Sequence, residues 1–173
     1  MSITTKLENP HIDAIAPTDL YVGRTWIEPT ASGGETWIWN GTYWLSSQVY
    51  KESINTTSGN TTYSMVFDLD PAYNIFFLNA IATINCTVAA TATINWSWNI
   101  ARINSTGAAS TLVSGNNIGQ AATTWQTFKN TANVHVNLAA TGAVGLRYLD
   151  TRTGNISKAG TISFCYRKAR ILS

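Results

Sequence analysis

Strict two-residue alternation runs through much of this chain and leaves little choice of fold. In residues 91–102 the even positions include Ala92, Ile94, Trp96, Trp98 and Ile100, and the odd ones Thr91, Thr93, Asn95, Ser97 and Asn99. Side chains of a strand point alternately to its two faces, so this pattern predicts a strand with one buried and one wet face. The same period returns in Val134, Val136 and Leu138 against Asn133, His135 and Asn137, in Val144, Leu146 and Tyr148, and in Ile162, Phe164 and Tyr166. Gly, Asn and Ser punctuate these runs at residues 104–107, 114–117, 141–142 and 153–155, and no stretch carries a helical period. Short strands at regular spacing predict an all-β chain whose residues 60–173 form a jelly-roll-like β-sandwich.

Ile75, Phe76, Phe77 and Leu78 are apolar on both faces of their strand. A second sheet covers one face of such a strand, so the other is expected to need a further element or a neighbouring subunit, which points to a homotrimer.

Four of the seven tryptophans, Trp26, Trp37, Trp39 and Trp44, crowd into residues 21–46. Residues 29–34 and the Asn40-Gly41 pair mark turns, which predicts a three-stranded meander over residues 21–27, 35–39 and 42–45. With so few aliphatic residues, this module needs its indoles inside rather than displayed as a sugar platform. Too small to stand alone, it must pack on the main domain or on copies of itself. Residues 21–59 are read as this meander and a linker. Residues 1–20, with Pro10, Pro17 and no sustained period, are read as an arm that orders only against a partner.

The stretch Gly23-Arg-Thr-Trp26, followed by Gly34-Glu-Thr-Trp37-Ile-Trp-Asn-Gly41-Thr-Tyr-Trp44, resembles a module of bacteriophage tail fibres and related virion appendages, with Arg24 where an acid is usual. The resemblance implies homotrimeric assembly, an N-terminal end attached to the baseplate or another virion protein, and a distal β domain that meets the host. The expected place is the virion, after assembly in the host cytoplasm. A capsid decoration or cement protein shares these features, and a carbohydrate-binding module is a further alternative.

Charge and chemistry narrow the remaining classes. Only 12% of residues are charged, and the formal net charge is +2. Solubility therefore rests on uncharged groups, with Thr and Asn making up roughly a quarter of the chain. The basic residues are scattered apart from Arg167, Lys168 and Arg170, which argues against a nucleic-acid surface. The N-terminal residues lack the apolar segment of a signal peptide, and no apolar run is long enough to span a bilayer, so neither export nor membrane insertion is expected. Two histidines and two cysteines without metal spacing give no expected metal or cofactor, and Cys86 and Cys165 are expected to be free thiols rather than a disulfide. Asp68 and Asp70 share a strand face but run into Pro71, which reads as a strand end rather than an acid pair. No catalytic residue is expected and the protein is read as not an enzyme. Recognition is expected instead from turn residues, by hydrogen bonds to a host surface glycan. The candidate contacts are Asn104, Ser105 and Thr106, then Asn116 and Asn117, then Arg152 and Asn155.

Overall fold

The computed structural model describes residues 10–29, 34–57, 62–68, 73–137, 143–154 and 158–170. They form strands, turns and bends without a helix. The strands are β1 (His11–Ile12), β2 (Thr25–Glu28), β3 (Glu35–Trp39), β4 (Trp44–Ser46), β5 (Tyr50–Thr57), β6 (Thr62–Asp68), β7 (Asn74–Cys86), β8 (Asn95–Asn104), β9 (Ala109–Asn116), β10 (Trp125–Val136), β11 (Ala143–Thr153) and β12 (Lys158–Arg170).

Strands β5 to β12 divide between two antiparallel sheets, ordered β5-β12-β7-β10 and β6-β11-β8-β9. The first and last strands of the eight are neighbours in one sheet, and the second and seventh in the other. That wrapping makes the sandwich a jelly roll. Its core joins Ile54, Ile75, Phe77, Ala82, Ile84, Ile162 and Phe164 of the first sheet to Trp96, Trp98, Ile100, Leu146 and Tyr148 of the second. The sandwich takes its first strand from residues 50–57, inside the span expected to be meander and linker.

The alternation holds where pairing is regular and shifts where a bulge intervenes. Trp96, Trp98 and Ile100 are buried as expected. Residues 91–94 are not part of that strand: Thr91 N donates to Ile94 O at 2.7 Å, and Asn95 Nδ2 closes the turn on the Thr91 and Ala92 carbonyls. In β7 the buried set changes parity, from Ile75 and Phe77 to Ala80, Ala82 and Ile84. Opposite this change, the β12 register slips between Cys165 and Tyr166, leaving an extra residue at Leu78.

The meander is a continuation of the first sheet. Leu45 and Trp44 of β4 pair with Ala169 and Arg170 at the end of β12. Trp26, Trp37, Trp39 and Trp44 are buried together, with Trp26 stacked on Trp37 at 6.1 Å and edge-on to Trp44 at 5.7 Å. The turn at Asn40-Gly41 differs from the two-residue hairpin that the pair suggests. Trp39 pairs with Trp44, so the loop has four residues, and Asn40 Oδ1 accepts from Thr42 N at 2.9 Å and Tyr43 N at 2.7 Å. The Asn40 side chain thus serves the loop as an acceptor, and positive φ is left to Gly41 at 102°.

Residues 10–20 find their partner in this chain. His11 and Ile12 pair in parallel with Trp26 and Ile27, Trp26 Nε1 donates to Asp13 O at 2.7 Å, and Ala16 packs on the indole cluster. Residues 1–9 lie outside the described residues.

The second face of residues 75–78 is also covered from within. Tyr43 stacks on His135 at 4.0 Å with planes 7° apart and lies 6.5 Å from Phe76. His135 pairs with Phe76 on the outer face of the first sheet, so the hairpin loop of the meander caps this spot. The doubly apolar run therefore does not by itself call for a neighbouring subunit.

Candidate functional site

The register divides the molecule into two ends. Trp125 pairs with Asn85, Lys158 with Cys86, Thr153 with Asn95 and Asn116 with Ser97, which brings the loops after β7 and β9 and the exit of β11 to one end. The meander, the start of β7 and the turn after β8 lie at the other.

The predicted contact residues are split by this geometry. Asn104, Ser105 and Thr106 sit at the meander end. Asn104 Oδ1 accepts from Thr106 N at 3.1 Å, Thr106 Oγ1 at 2.8 Å and Ala108 N at 2.9 Å, so its carbonyl oxygen is engaged in its own turn. Asn116, Asn117 and Arg152 lie at the far end, and Asn155 lies outside the described residues. Asn116 is exposed and borders a depression of about 350 Å³ on the outer face of the second sheet, with Ser97, Asn99, Ser114, Leu149 and Thr151. Arg152 is half-buried and pairs with Trp96, at the mouth of the core.

Asn117, expected as a surface contact, is instead fully buried. Its Oδ1 accepts from Trp96 N at 2.9 Å and its Nδ2 donates to Gln120 Oε1 at 3.1 Å. Gln120, also buried, donates to Ile84 O at 2.7 Å and Thr124 O at 2.9 Å. Backbone bonds from Ala90 N to Gln120 O and from Gly119 N to Ala90 O tie the two loops together. Buried amides must be paired, and this pair spends its donors and acceptors on locking the far end into one shape. The far end is thus a preformed surface.

Apolar side chains exposed on this end are Val88 at 37%, Ile118 at 49% and Trp125 at 64%. The other six tryptophans are buried. Trp125 begins the edge strand β10, whose residues 125, 127, 129 and 131 are exposed. The alternation Trp125-Gln-Thr-Phe-Lys-Asn-Thr-Ala132 is legible in the sequence and was the signal missed. The face it presents is fixed only by pairing with β7.

At the meander end, Ile12, Ile15, Tyr21, Val22 and Val49 are exposed by between 45% and 74%. A charged joint ties this end to the sandwich. Arg170 pairs with Glu28 and lies over the rings of Trp26, Trp37 and Tyr73 at 5.6–5.9 Å. Lys168 Nζ meets Glu35 at 3.5 Å and sits over Tyr73 at 4.5 Å and Tyr50 at 5.2 Å. Burial and the adjacent Glu35 push the Tyr50 hydroxyl up to about 12.

Among the described residues no three His, Cys, Asp or Glu side chains gather into a group able to hold a metal. Cys86 and Cys165 are free, and burial raises the Cys86 thiol above its ordinary pKa.

No family model matches the chain, and no curated protein sequence matches it. Among solved structures it is similar to the PRD1 vertex protein P5, with 11% identity over 90% of this chain and 87% of that one and a TM-score of 0.45. It is similar also to the VP2 subviral particle of infectious bursal disease virus, with 12% identity over 87% of this chain and a TM-score of 0.39. This chain spans only 41% of that VP2 chain. A third likeness, to a structure described as CBM4, has 8% identity over 74% of this chain and 81% of that one, with a TM-score of 0.33. These likenesses are too distant to carry a function across.

Proposed function

We propose that the protein is a structural component of a virus particle, a short bacteriophage tail fibre or spike that acts as a homotrimer in attachment to the host cell. One observation carries this reading: exposed large apolar side chains gather at opposite ends of the jelly roll. Ile12, Ile15, Tyr21 and Val22 lie beside the meander, and Val88, Ile118 and Trp125 lie at the far end. A two-ended distribution suits a protein held at one end and used at the other. The meander end, with the N-terminal residues, is the anchor to a baseplate or another virion protein. The locked far end faces outward. The Trp-rich hairpin's resemblance to tail-fibre modules points the same way.

Gold-labelled antibody against the protein, applied to virus particles that carry its gene, tests the reading. Label confined to the tail or vertices, in tens of copies per particle, is the expected result. Label spread over the capsid in hundreds would favour the decoration reading, and unlabelled particles would overturn both.

A further inference from the structure

The outer face of the first sheet carries a surface that turn residues did not reveal. Pairing aligns Trp125 with Asn85 and Ala159, then Thr127 with Thr83, Thr161 and Asn55, then Lys129 with Ile81, Ser163 and Ser53. Directly paired residues of antiparallel strands share a face, so these side chains form three lines across the sheet, the first over three strands and the other two over four. Hydroxyls and amides already link along them: Thr83 Oγ1 and Thr127 Oγ1 lie 3.2 Å apart, and Thr161 Oγ1 donates to Asn55 Oδ1 at 3.1 Å. Trp125 stands at one corner, 64% exposed, next to Asn85, with the small Ala159 one strand further on.

Charge on this face has one sign. Lys129, Lys51 and Arg167 are on it, and the described positions of β5, β7, β10 and β12 that point this way include no carboxylate. An anionic occupant meets three cations and, at the described positions of these strands, no carboxylate. Neighbouring strands lie about 4.8 Å apart, close to the length of one pyranose ring, so a sugar chain laid across the strands meets about one hydroxyl or amide per residue. An exposed indole offers an apolar plane for the C–H face of a sugar and an N–H for its hydroxyls.

We propose that this face binds an acidic polysaccharide, with Trp125 stacking on one sugar, the Thr127-Thr83-Thr161-Asn55 line hydrogen-bonding along the chain and Lys129 pairing with a carboxylate. The inference rests on the attachment reading for the source of the glycan, the host surface, but binding itself can be measured on the purified protein.

The test is a printed array of acidic and neutral bacterial polysaccharides, followed by titration of the tightest one against wild type, Trp125→Ala and Lys129→Gln. Acidic glycans are expected to bind, the Trp125 variant to lose at least tenfold in affinity, and the Lys129 variant to lose severalfold with a weaker dependence on salt. Both variants should melt as wild type does, since both side chains are exposed. Failure of every glycan on the array, binding unaffected by Trp125→Ala, or a change of oligomeric state in that variant would overturn the proposal. The last result would make the face a contact between copies. Loss of binding with particles still labelled by antibody would leave the attachment reading standing. Unlabelled particles with binding intact would sink that reading and keep the site.

Discussion

At the scale of the residue, Asn117 and His135 make opposite demands on their surroundings. Asn117 is a buried amide that is satisfied: its partners are the Trp96 amide and Gln120. Replacing it with Leu would strand the Trp96 N–H and the Gln120 Oε1, at a cost of about 1–3 kcal/mol. Urea titration should show this loss, and the Gln120→Leu variant should not add to it fully, because both changes break one network. His135 is pressed on Tyr43, its Nε2 is buried without a hydrogen-bond partner, and burial lowers its pKa. A histidine that resists protonation when folded contributes stability that is present above the unfolded value of 6.5 and lost as pH falls through the lower folded value. Melting temperature should therefore fall as the solution is acidified below about 6.5, and His135→Phe should flatten that part of the profile. A variant profile equal to wild type would remove His135 as the cause.

At the scale of the element, the meander owes its place to long-range pairing. Its strands were legible in the sequence because each turn is local: Asn40 and Gly41 mark one with side-chain chemistry and a positive φ. That β4 would add to the end of β12 was not legible, since the partners Leu45 and Ala169 are brought together only by the finished sheet. The same holds for the parity change at Leu78, which no local signal announces. Asn117 misled for a related reason, since Asn in a Gly-rich loop reads as surface until the loop across from it is known. Two substitutions probe this element. Trp37→Ala removes a fully buried indole and should cost about 3–5 kcal/mol of meander stability, read by thermal melting. Arg170→Ala leaves Glu28 largely buried without its cation and should cost about 1–3 kcal/mol, seen as loosening of the meander while the jelly roll keeps its β signature. If Trp37→Ala melts as wild type does, the indoles are not the module's core.

At the scale of the whole molecule, the alternation established an all-β sandwich, and the pairing order made it a jelly roll with a meander on one sheet. The two ends differ in chemistry as well as position. One carries the charged joint and the exposed Ile12, Ile15 and Val22, and the other the amide-locked loops and Trp125. Trimerisation is an expectation of the attachment reading, and sedimentation of the purified protein should give the mass of three chains, with a stable monomer at micromolar concentration counting against it. The direction in which the molecule is mounted can be read from an image of the virus particle at a resolution that separates the two ends. The meander and residues 10–24 are expected against the particle, with Trp125 and the Asn117–Gln120 loops facing outward. A density with Trp125 buried against the particle, or with the meander end free in solution, would contradict this orientation.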